Sequence, residues 1–457
     1  MSNSRAYPRL EAFERLHISD GLTIDADRWQ QAHRYHRQRQ NFYYQALHEP
    51  GIVDGLGVAL LPDQPDGRWL QIQPGIAIDI EGNPIVVKQP EAFRIESEAP
   101  AGQSLQVHLA VNYVDPDDLR HSPTQSTVVE NFRIVEKLQL DPRDVELCRI
   151  QLGPGATQIQ TPVNVFSPSA NQLDFRGRRQ PQSYPQGQVQ VGQIVSDRPD
   201  DQTSLNGLTD LLRSLAGLYP ALRSGSTVQT FPAKGLGQPD ARDCHLIYVA
   251  YDTLLTLANP ALQHLQNYLA QGGVLLVGAD FAAVQLLDWL NLGQELQSGL
   301  AEASRDFELL ALMGEQLQTE VAANQTAVMQ RLAELEQRLG AIAPRLGLTL
   351  TGSGKLDQDH PLRWQPFTFS QWPQRQGHPI YVKNWSGLVW MVGDLSQCWG
   401  RNAQPELPRE TLRSAQEWGI NLLHFAVQHQ RWHQAMQPQD PNLDSRPDSL
   451  QRRVQQA

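Results

Sequence analysis

The sequence contains few cysteines, no long apolar run and no excess of positive charge, and each absence excludes a class of protein. Its three cysteines, Cys148, Cys244 and Cys398, lie far apart and form no C-x-x-C pair, which disfavours a disulfide framework or a zinc site. No apolar stretch is long enough to span a membrane, and the first residues lack the apolar core of a signal peptide. We therefore expect a cytoplasmic protein with no direct membrane insertion.

The charge balance argues against a nucleic-acid partner. The 457 residues include 38 lysines and arginines against 49 aspartates and glutamates, a net charge of -11, and the length predicts two or three domains. A basic cluster that is interleaved with tyrosines lies on one predicted helix and comprises His33, Arg34, His36, Arg37 and Arg39. Such residues stack on bases or hold a metal in some proteins. In this acidic chain they favour packing on a sheet or interface hydrogen bonds instead.

The first part of the chain predicts one helix followed by strands. Asp25 or Asp27 can cap a helix over residues 28–47. Apolar and polar residues then alternate in LQVHLAVNYV, residues 105–114, and in ELCRIQLG, where Cys148 falls on the core side. These runs predict a compact β-rich domain with one N-terminal helix.

Residues 47–87, LHEPGIVDGLGVALLPDQPDGRWLQIQPGIAIDIEGNPIVV, combine glycine turns with strand-like runs. The turn-forming residues are Gly51, Gly55, Gly57, Pro74-Gly75 and Gly82-Asn83. The pattern holds no arrangement for proton transfer or for phosphate binding. It therefore indicates a shaped structural module better than it indicates a catalyst.

This pattern and the segment before it resemble an N-terminal module of phage baseplate-like components and of the related contractile injection systems of bacteria. The segment before it is RLHISDGLTIDADRWQQAHRYHRQRQNFYYQA. The likeness lies in the helix rich in Tyr, Arg and His and in the runs LHEPGIVDGLGV and IQPGIAIDIEGNPIV, over roughly the first third of the chain. It implies a part in an assembly, with other subunits of a tail-like particle as partners.

The second part of the chain predicts an α/β domain. Residues 178–192, RRQPQSYPQGQVQVG, lack an apolar period and indicate an inter-domain linker. After it come leucines at helical spacing, the buried strand HLIYVAYD, another helix and the strand VLLV, which is the order of a parallel sheet.

A long helical pattern over residues 297–340 interrupts this order. Val328, Leu332, Leu335 and Leu339 step by four, three and four residues, as in a coiled coil. Two interpretations stay open: a helical hairpin packed on its own domain, or a device for self-association or for docking a partner.

A second resemblance involves the series LQNYLAQGGVLLVGAD, DQDHPLRW, GLVWMVGDLS and RETLRSAQEWGINLLHFA. It looks like an uncharacterised bacterial domain with a glutamine amidotransferase-like, flavodoxin-like fold, over about residues 190–430 without the insertion. The long insertion departs from the usual look of that family. The resemblance implies a fold more than an activity.

Two groups of residues are candidates for chemistry. An amidotransferase needs a cysteine on a turn directly after a strand, but VLLV ends in Gly278-Ala279-Asp280, and Cys398 lacks the Gly-x-Cys-x-Gly setting. Asp252, Asp280 and Asp394 each follow a predicted strand, so they converge over the sheet and are candidate ligands for Mg²⁺ or Ca²⁺. The alternative is that each carboxylate caps its own turn or helix.

The sequence therefore predicts an α+β multidomain protein: an N-terminal helix with a β-rich domain, then a flavodoxin-like α/β domain with an inserted long helix or coiled coil. The predicted segments are 1–177 for the baseplate-like module, 178–192 for the linker, 193–296 and 341–436 for the α/β domain, 297–340 for the insertion and 437–457 for a disordered tail. We expect a non-enzymatic homo-oligomer within a large cytoplasmic particle, without a cofactor or nucleic acid. The alternatives are an α/β protein that binds a metal or small molecule, or hydrolyses a substrate, in an acid-lined pocket, and an adaptor whose coiled coil recruits another protein.

Overall fold

The computed structural model of this chain divides into two compact units, one ending at Tyr184 and the other beginning at Pro185. The structure describes residues 12–62, 64, 66–116, 127, 129–155, 158–196, 198–225, 227–233, 243–305, 307–400 and 407–436, and for 307–312 the backbone alone. The predicted tail, 437–457, lies outside these residues.

The described residues of the first unit form one helix and three antiparallel sheets. Its elements are α1 (Ala26–Leu47), β1 (Gly51–Gly55), β2 (Val58–Leu60), β3 (Trp69–Ile72), β4 (Gly75–Ile78), β5 (Pro84–Val87), β6 (Glu91–Arg94), β7 (Leu105–Val114), β8 (Asn131–Lys137), β9 (Val145–Leu152) and β10 (Leu173–Asp174). The sheet orders are β1-β4-β5, β2-β3-β6 and β10-β9-β7-β8. The inward side chains of these sheets form one core, in which Leu70, Ile95 and Leu147 have no exposed surface.

The predicted helix and strands of this unit are confirmed. Asp25 caps α1, because its carboxylate accepts a hydrogen bond of 2.9 Å from the backbone N–H of Arg28. Residues 105–114 form β7, as predicted. Both faces of the strand are buried in its middle, where the exposed fraction of Ala110 is as low as that of Leu109. Cys148 is a core residue of β9.

The glycines of the 47–87 pattern bring backbones into close contact. Gly55 lies opposite Gly75 in the β1–β4 pair, and a Cβ atom at Gly55 would lie 2.2 Å from the carbonyl oxygen of Pro74. A Cβ atom at Gly82 would lie 2.5 Å from the carbonyl oxygen of Asn41, since α1 rests directly on this turn. Because no side chain fits at either place, the pattern sets the position of α1 on the sheets.

The second unit contains a mixed sheet between helices. Its elements are β11 (Gly187–Val189), β12 (Val191–Val195), α2 (Pro199–Leu218), β13 (Leu222–Ser224), β14 (Gln229–Pro232), β15 (Leu246–Ala250), α3 (Tyr251–Thr256), α4 (Asn259–Ala270), β16 (Val274–Ala279), α5 (Leu287–Ala303), α6 (Phe307–Ile342), α7 (Pro361–Trp364), β17 (Gln374–Arg375), β18 (His378–Pro379), β19 (Tyr381–Trp385), β20 (Leu388–Val392) and α8 (Arg409–Met436), with 3-10 helices at Ala343–Leu346 and Leu395–Cys398.

The strand order of the main sheet is β14-β12-β15-β16-β20-β19. The first five strands are parallel, and β19 pairs antiparallel with β20 at the edge. Numbered along the chain, the parallel strands have the order 2-1-3-4-5, which is the flavodoxin-like arrangement. Helices α3, α4 and α6 pack on one face, and α2 and α8 on the other. The predicted fold class is confirmed.

Part of the segment predicted to be a linker forms strands. Residues 187–189 and 191–195 are β11 and β12, and Val189 and Val191 are buried in the core. The sequence pattern hides them because Gln188, Gln190 and Gln193 alternate with the apolar residues, so that no run of apolar residues stands out.

The insertion is an antiparallel helical hairpin formed by α5 and α6. The side-chain amide of Asn324 on α6 donates to the carbonyl oxygen of Trp289 on α5 over 3.0 Å. Further along α6, Arg331 donates to the carbonyl oxygen of Val284. The C-terminal half of α6 then enters the core of the unit through Val328, Leu332, Leu335 and Leu339. The helical region thus begins earlier than predicted, and it breaks at residues 304–306, where no glycine or proline announces a break.

Candidate functional site

The three candidate aspartates lie at the carboxyl ends of three neighbouring parallel strands. Asp252 is the second residue of α3 after β15, Asp280 directly follows β16, and Asp394 follows β20. This edge, beside the point where the strand order reverses between β12 and β15, is where doubly wound folds build ligand sites. The structure places all three side chains around one pocket.

The pocket is small. Its volume is about 40 Å³, and its lining also includes Arg198, Ser204 and Tyr248. Pockets that bind substrates or cofactors usually measure about 300–1,000 Å³, whereas one water needs only about 10–15 Å³ by this kind of measure. The space suits a few waters and not a small-molecule substrate.

Tyr248 and Asp394 fill the bottom of the pocket. The Tyr248 hydroxyl donates a short hydrogen bond to Oδ2 of Asp394, and Oδ1 of Asp394 accepts from the backbone N–H of Ser396 over 2.8 Å. The hydroxyls of Ser396 and Ser204 lie 2.9 Å apart, which joins the 3-10 helix to α2. Burial raises the pKa of Asp394 and of Tyr248, so both groups favour their neutral forms.

A glycine makes room for this buried pair. A Cβ atom at Gly278 would lie 2.7 Å from the Tyr248 ring and 2.8 Å from Oδ2 of Asp394. The hydrogen-bonded pair thus crosslinks β15 to the segment after β20. A carboxyl group that is buried and already bonded in this way is suited to holding the sheet edge together and not to proton transfer with a substrate.

The other two carboxylates have partners of their own. Oδ1 of Asp280 accepts from the backbone N–H of Ala282 over 2.9 Å, and its other oxygen lies 3.5 Å from the guanidinium of Arg375. Asp252, whose side chain is half exposed, pairs with Arg198 at 3.4 Å. Asp280 and Asp394 thus cap their own turns, as in the alternative interpretation. Among the described residues, no three His, Cys, Asp or Glu side chains are grouped so that they could hold a metal ion.

The cysteine thiols are all buried. Cys398 has no exposed surface, and the Arg375 guanidinium lies 3.3 Å from its sulfur. Burial raises the pKa of Cys398 despite that positive charge, and it raises the pKa of Cys148 to about 12. A nucleophilic cysteine requires a lowered pKa and access to a substrate. Neither thiol has these properties.

Sequence reasoning missed Arg375. This residue lies on the two-residue strand β17 and reaches Asp280, Cys398 and Gln397, with a hydrogen bond of 2.7 Å to the last. Its charge lowers the cost of burying acidic groups at the sheet edge. No sequence signal connects a residue on so short a strand to the strand ends.

The exposed helix α1 is the main feature of the first unit's surface. None of its 22 residues is buried, although the sequence favoured packing of its aromatic residues on a sheet. It is attached through polar contacts, including a 2.6 Å hydrogen bond from Asn41 to Asn83 and an ion pair of 2.9 Å between Arg37 and Asp115. Trp29 is 58% exposed and Tyr43 is 55% exposed. The outward face of α1 is thus rich in apolar and basic groups that the unit itself does not cover.

Within the described residues, no helix combines the length and the apolar character that a membrane crossing requires.

The two units together define a class of protein: a β-rich module with an exposed helix, joined to a flavodoxin-like α/β unit with an inserted hairpin. No protein-family model and no curated protein matches this sequence. Among solved structures, a crystal structure of TssK is similar over 45% of this chain at 15% identity, with a TM-score of 0.23. The match spans about half of that structure's length, 48%. Likeness at this TM-score is not an indication of shared function.

Proposed function

We propose that this protein is a non-catalytic structural subunit of a phage tail-like assembly of the contractile injection type, at the baseplate or accessory to it. In this proposal it acts in the cytoplasm as part of a large particle, and its partners are other subunits and further copies of itself. No cofactor or nucleic acid takes part. The observation that carries the proposal is α1, a 22-residue helix with no buried residue, whose backbone at Asn41 lies against the turn at Gly82.

Helix α1 is mostly polar, but its exposed face carries Trp29, Tyr43 and Leu47, of which the last two are neighbours one helical turn apart. Large apolar side chains on a soluble surface are ordinary when scattered, but contiguous ones mark interaction sites. The close approach of Gly82 to Asn41 fixes the height of α1 above the sheets, so the helix is presented rigidly. A rigidly presented, uncovered helix suits a subunit that is completed by a neighbour.

The sheet edge of the α/β unit supports the same conclusion. The place where related folds bind ligands holds about 40 Å³ of space and is crosslinked by Tyr248 and Asp394. A site of that size does not favour the alternative of a small-molecule enzyme. The unit is better suited to serve as a rigid body within an assembly.

The test is to tag the protein at its own locus, sediment a lysate of the native host, and examine the fast fraction by electron microscopy. We expect tagged, sheathed, tail-like particles. A tagged protein that remains small and never sediments with particles would overturn the proposal.

Two glycine variants sharpen this test. Gly82 and Gly102 both have positive φ angles, 79° and 74°, so alanine strains both turns similarly. Only at Gly82 does the added Cβ atom meet α1, because nothing lies within 4 Å at Gly102. We expect Gly82→Ala to lower incorporation into particles and Gly102→Ala to retain it. Asp252→Asn, in the pocket, should also retain incorporation, whereas its loss would favour a role for the pocket.

A further inference from the structure

The exposed face of α1 has the spacing of a coiled-coil seam. Six exposed residues follow one another at intervals of four, three, four, three and four: Trp29, His33, His36, Gln40, Tyr43 and Leu47. Side chains at this spacing form one straight stripe along a helix, which is the stripe that a second helix covers. Its apolar members are more than half exposed, at 58% for Trp29, 55% for Tyr43 and 57% for Leu47.

The charge of α1 selects the kind of helix that fits. The helix contains four arginines and one aspartate, and Arg39 lies exposed beside the stripe, whereas Arg34 lies on the side of Asn41, which bonds to Asn83 of its own unit. A partner helix therefore needs acidic residues next to apolar ones. A second α1 does not satisfy this requirement, since two such helices would repel each other.

The outer face of α5 has this complementary character. Asp288, Glu295 and Glu302 are exposed at intervals of seven residues, so they lie along one side of the helix. Within the described part of the chain, none of the three forms an ion pair with a basic side chain. Leu292 is 42% exposed on the same side of α5 as these carboxylates, whereas Trp289, 44% exposed, lies on the side of Gly293, where α6 packs.

The surrounding hairpin cannot pair with its own copy. Residues 287–327 contain seven acidic residues and a single arginine, so two hairpins placed side by side would repel each other strongly. Among the described residues, the exposed faces of α1 and α5 thus have opposite charge, each disfavours self-pairing, and each fits the other.

We propose that α1 of one copy packs against α5 of a second copy, with Arg39 facing the α5 carboxylates and Trp29, Tyr43 and Leu47 covering Leu292. The contact joins different surfaces of the two copies, so it is head-to-tail and extends to a closed ring or to a stack. This inference rests on the proposed function and names the surface through which that assembly grows.

The test uses charge reversal in the full-length purified chain. In one variant, Arg39→Glu and Gln40→Glu make the exposed face of α1 acidic; in the other, Glu295→Lys and Glu302→Lys make α5 basic. Sedimentation velocity at low salt should show concentration-dependent association of the wild-type chain that weakens as salt is added. Each variant alone should associate at least about tenfold more weakly than the wild-type chain, because its α1 and α5 surfaces then have charges of the same sign.

Mixing the two variants is the decisive measurement. The acidic α1 of the first variant faces the basic α5 of the second, and the unchanged surfaces also match, so association should return towards the wild-type level. A contact within one chain would not be restored by mixing. Reversing two exposed acids elsewhere, Glu98→Lys with Glu410→Lys, should leave association unchanged.

The outcomes separate this contact from the proposed function. A wild-type chain that stays monomeric, variants that associate normally, or a mixture that does not recover would each overturn the α1–α5 contact. If such a protein is still found in tail-like particles, the proposed function stands without this contact. A chain that associates as described but never enters a particle would retain the contact and overturn the proposed function.

Discussion

Replacing Gly207 with alanine tests how closely α2 is held against the candidate pocket. Gly207 lies in the middle of α2, and a Cβ atom there would lie 1.7 Å from the carbonyl oxygen of Ser396. A carbon and a carbonyl oxygen in contact are normally about 3.3 Å apart. The helix and the 3-10 segment must therefore separate by about 1.5 Å, a distance that also breaks the hydrogen bond between Ser204 and Ser396.

The expected cost follows from these displacements. Overpacking a core costs about 1–3 kcal/mol and the lost hydrogen bond about 1 kcal/mol, while alanine in place of glycine returns up to about 1 kcal/mol of helix propensity. Because the clash involves backbone on both sides, we expect the free energy of unfolding of the α/β unit to fall by about 3 kcal/mol. With a urea slope of about 3 kcal/mol/M, the midpoint falls by about 1 M.

The matched control is Gly217→Ala in the same helix. Gly217 is exposed and has nothing within 4 Å of an added Cβ atom, so helix propensity alone acts and the midpoint should stay or rise slightly. Urea unfolding followed by tryptophan fluorescence measures both variants. Equal midpoints for Gly207→Ala and Gly217→Ala would refute the close packing of α2 on the 3-10 segment.

Three further predictions concern the same unit. Burial lowers the pKa of His245 to about 4, and its Nδ1 accepts a hydrogen bond from the backbone N–H of Gln190. Its contribution to the free energy of unfolding, up to about 3 kcal/mol, is therefore present above about pH 6.5 and is lost as the pH falls towards 4. His245→Gln should flatten this part of the stability profile, as measured by urea titrations between pH 4 and 7. Leu339→Ala, in the core half of α6, should lower the free energy of unfolding by about 2–5 kcal/mol, whereas Met329→Ala, 61% exposed, should change it by less than about 0.5 kcal/mol; similar losses would place the helix outside the core. Millimolar Mg²⁺ or Ca²⁺ should leave the melting temperature unchanged, and a rise that Asp280→Asn abolishes would restore the carboxylate trio as a metal site.

Local sequence signals predicted the elements whose cause is local. The cap of α1 at Asp25 and the alternation in β7 each depend on residues a few positions apart, and the structure has both. The order of strands and helices also predicted that Asp252, Asp280 and Asp394 meet at one sheet edge, because parallel strands end on the same side.

Features that depend on distant residues were not predictable. Tyr248 reaches Asp394 across 146 positions of the chain, and Arg375 arrives from a strand of two residues, so the filling of the pocket left no pattern in the sequence. The exposure of α1 was missed for a related reason. Its aromatic residues suggested packing on a sheet; Tyr35, Phe42 and Tyr44 are partly buried, whereas Trp29 and Tyr43 are more than half exposed.

The inserted hairpin has a mechanical consequence. Helix α6 has 36 residues and spans about 54 Å, and between residues 315 and 339 it contains no glycine or proline at which it would bend. Its inner half is fixed in the core, where the Tyr251 hydroxyl donates to the carbonyl oxygen of Leu335 over 2.8 Å. The hairpin therefore has no point at which it would bend easily. A force applied to its outer end is transmitted to β15 as torque on the central sheet.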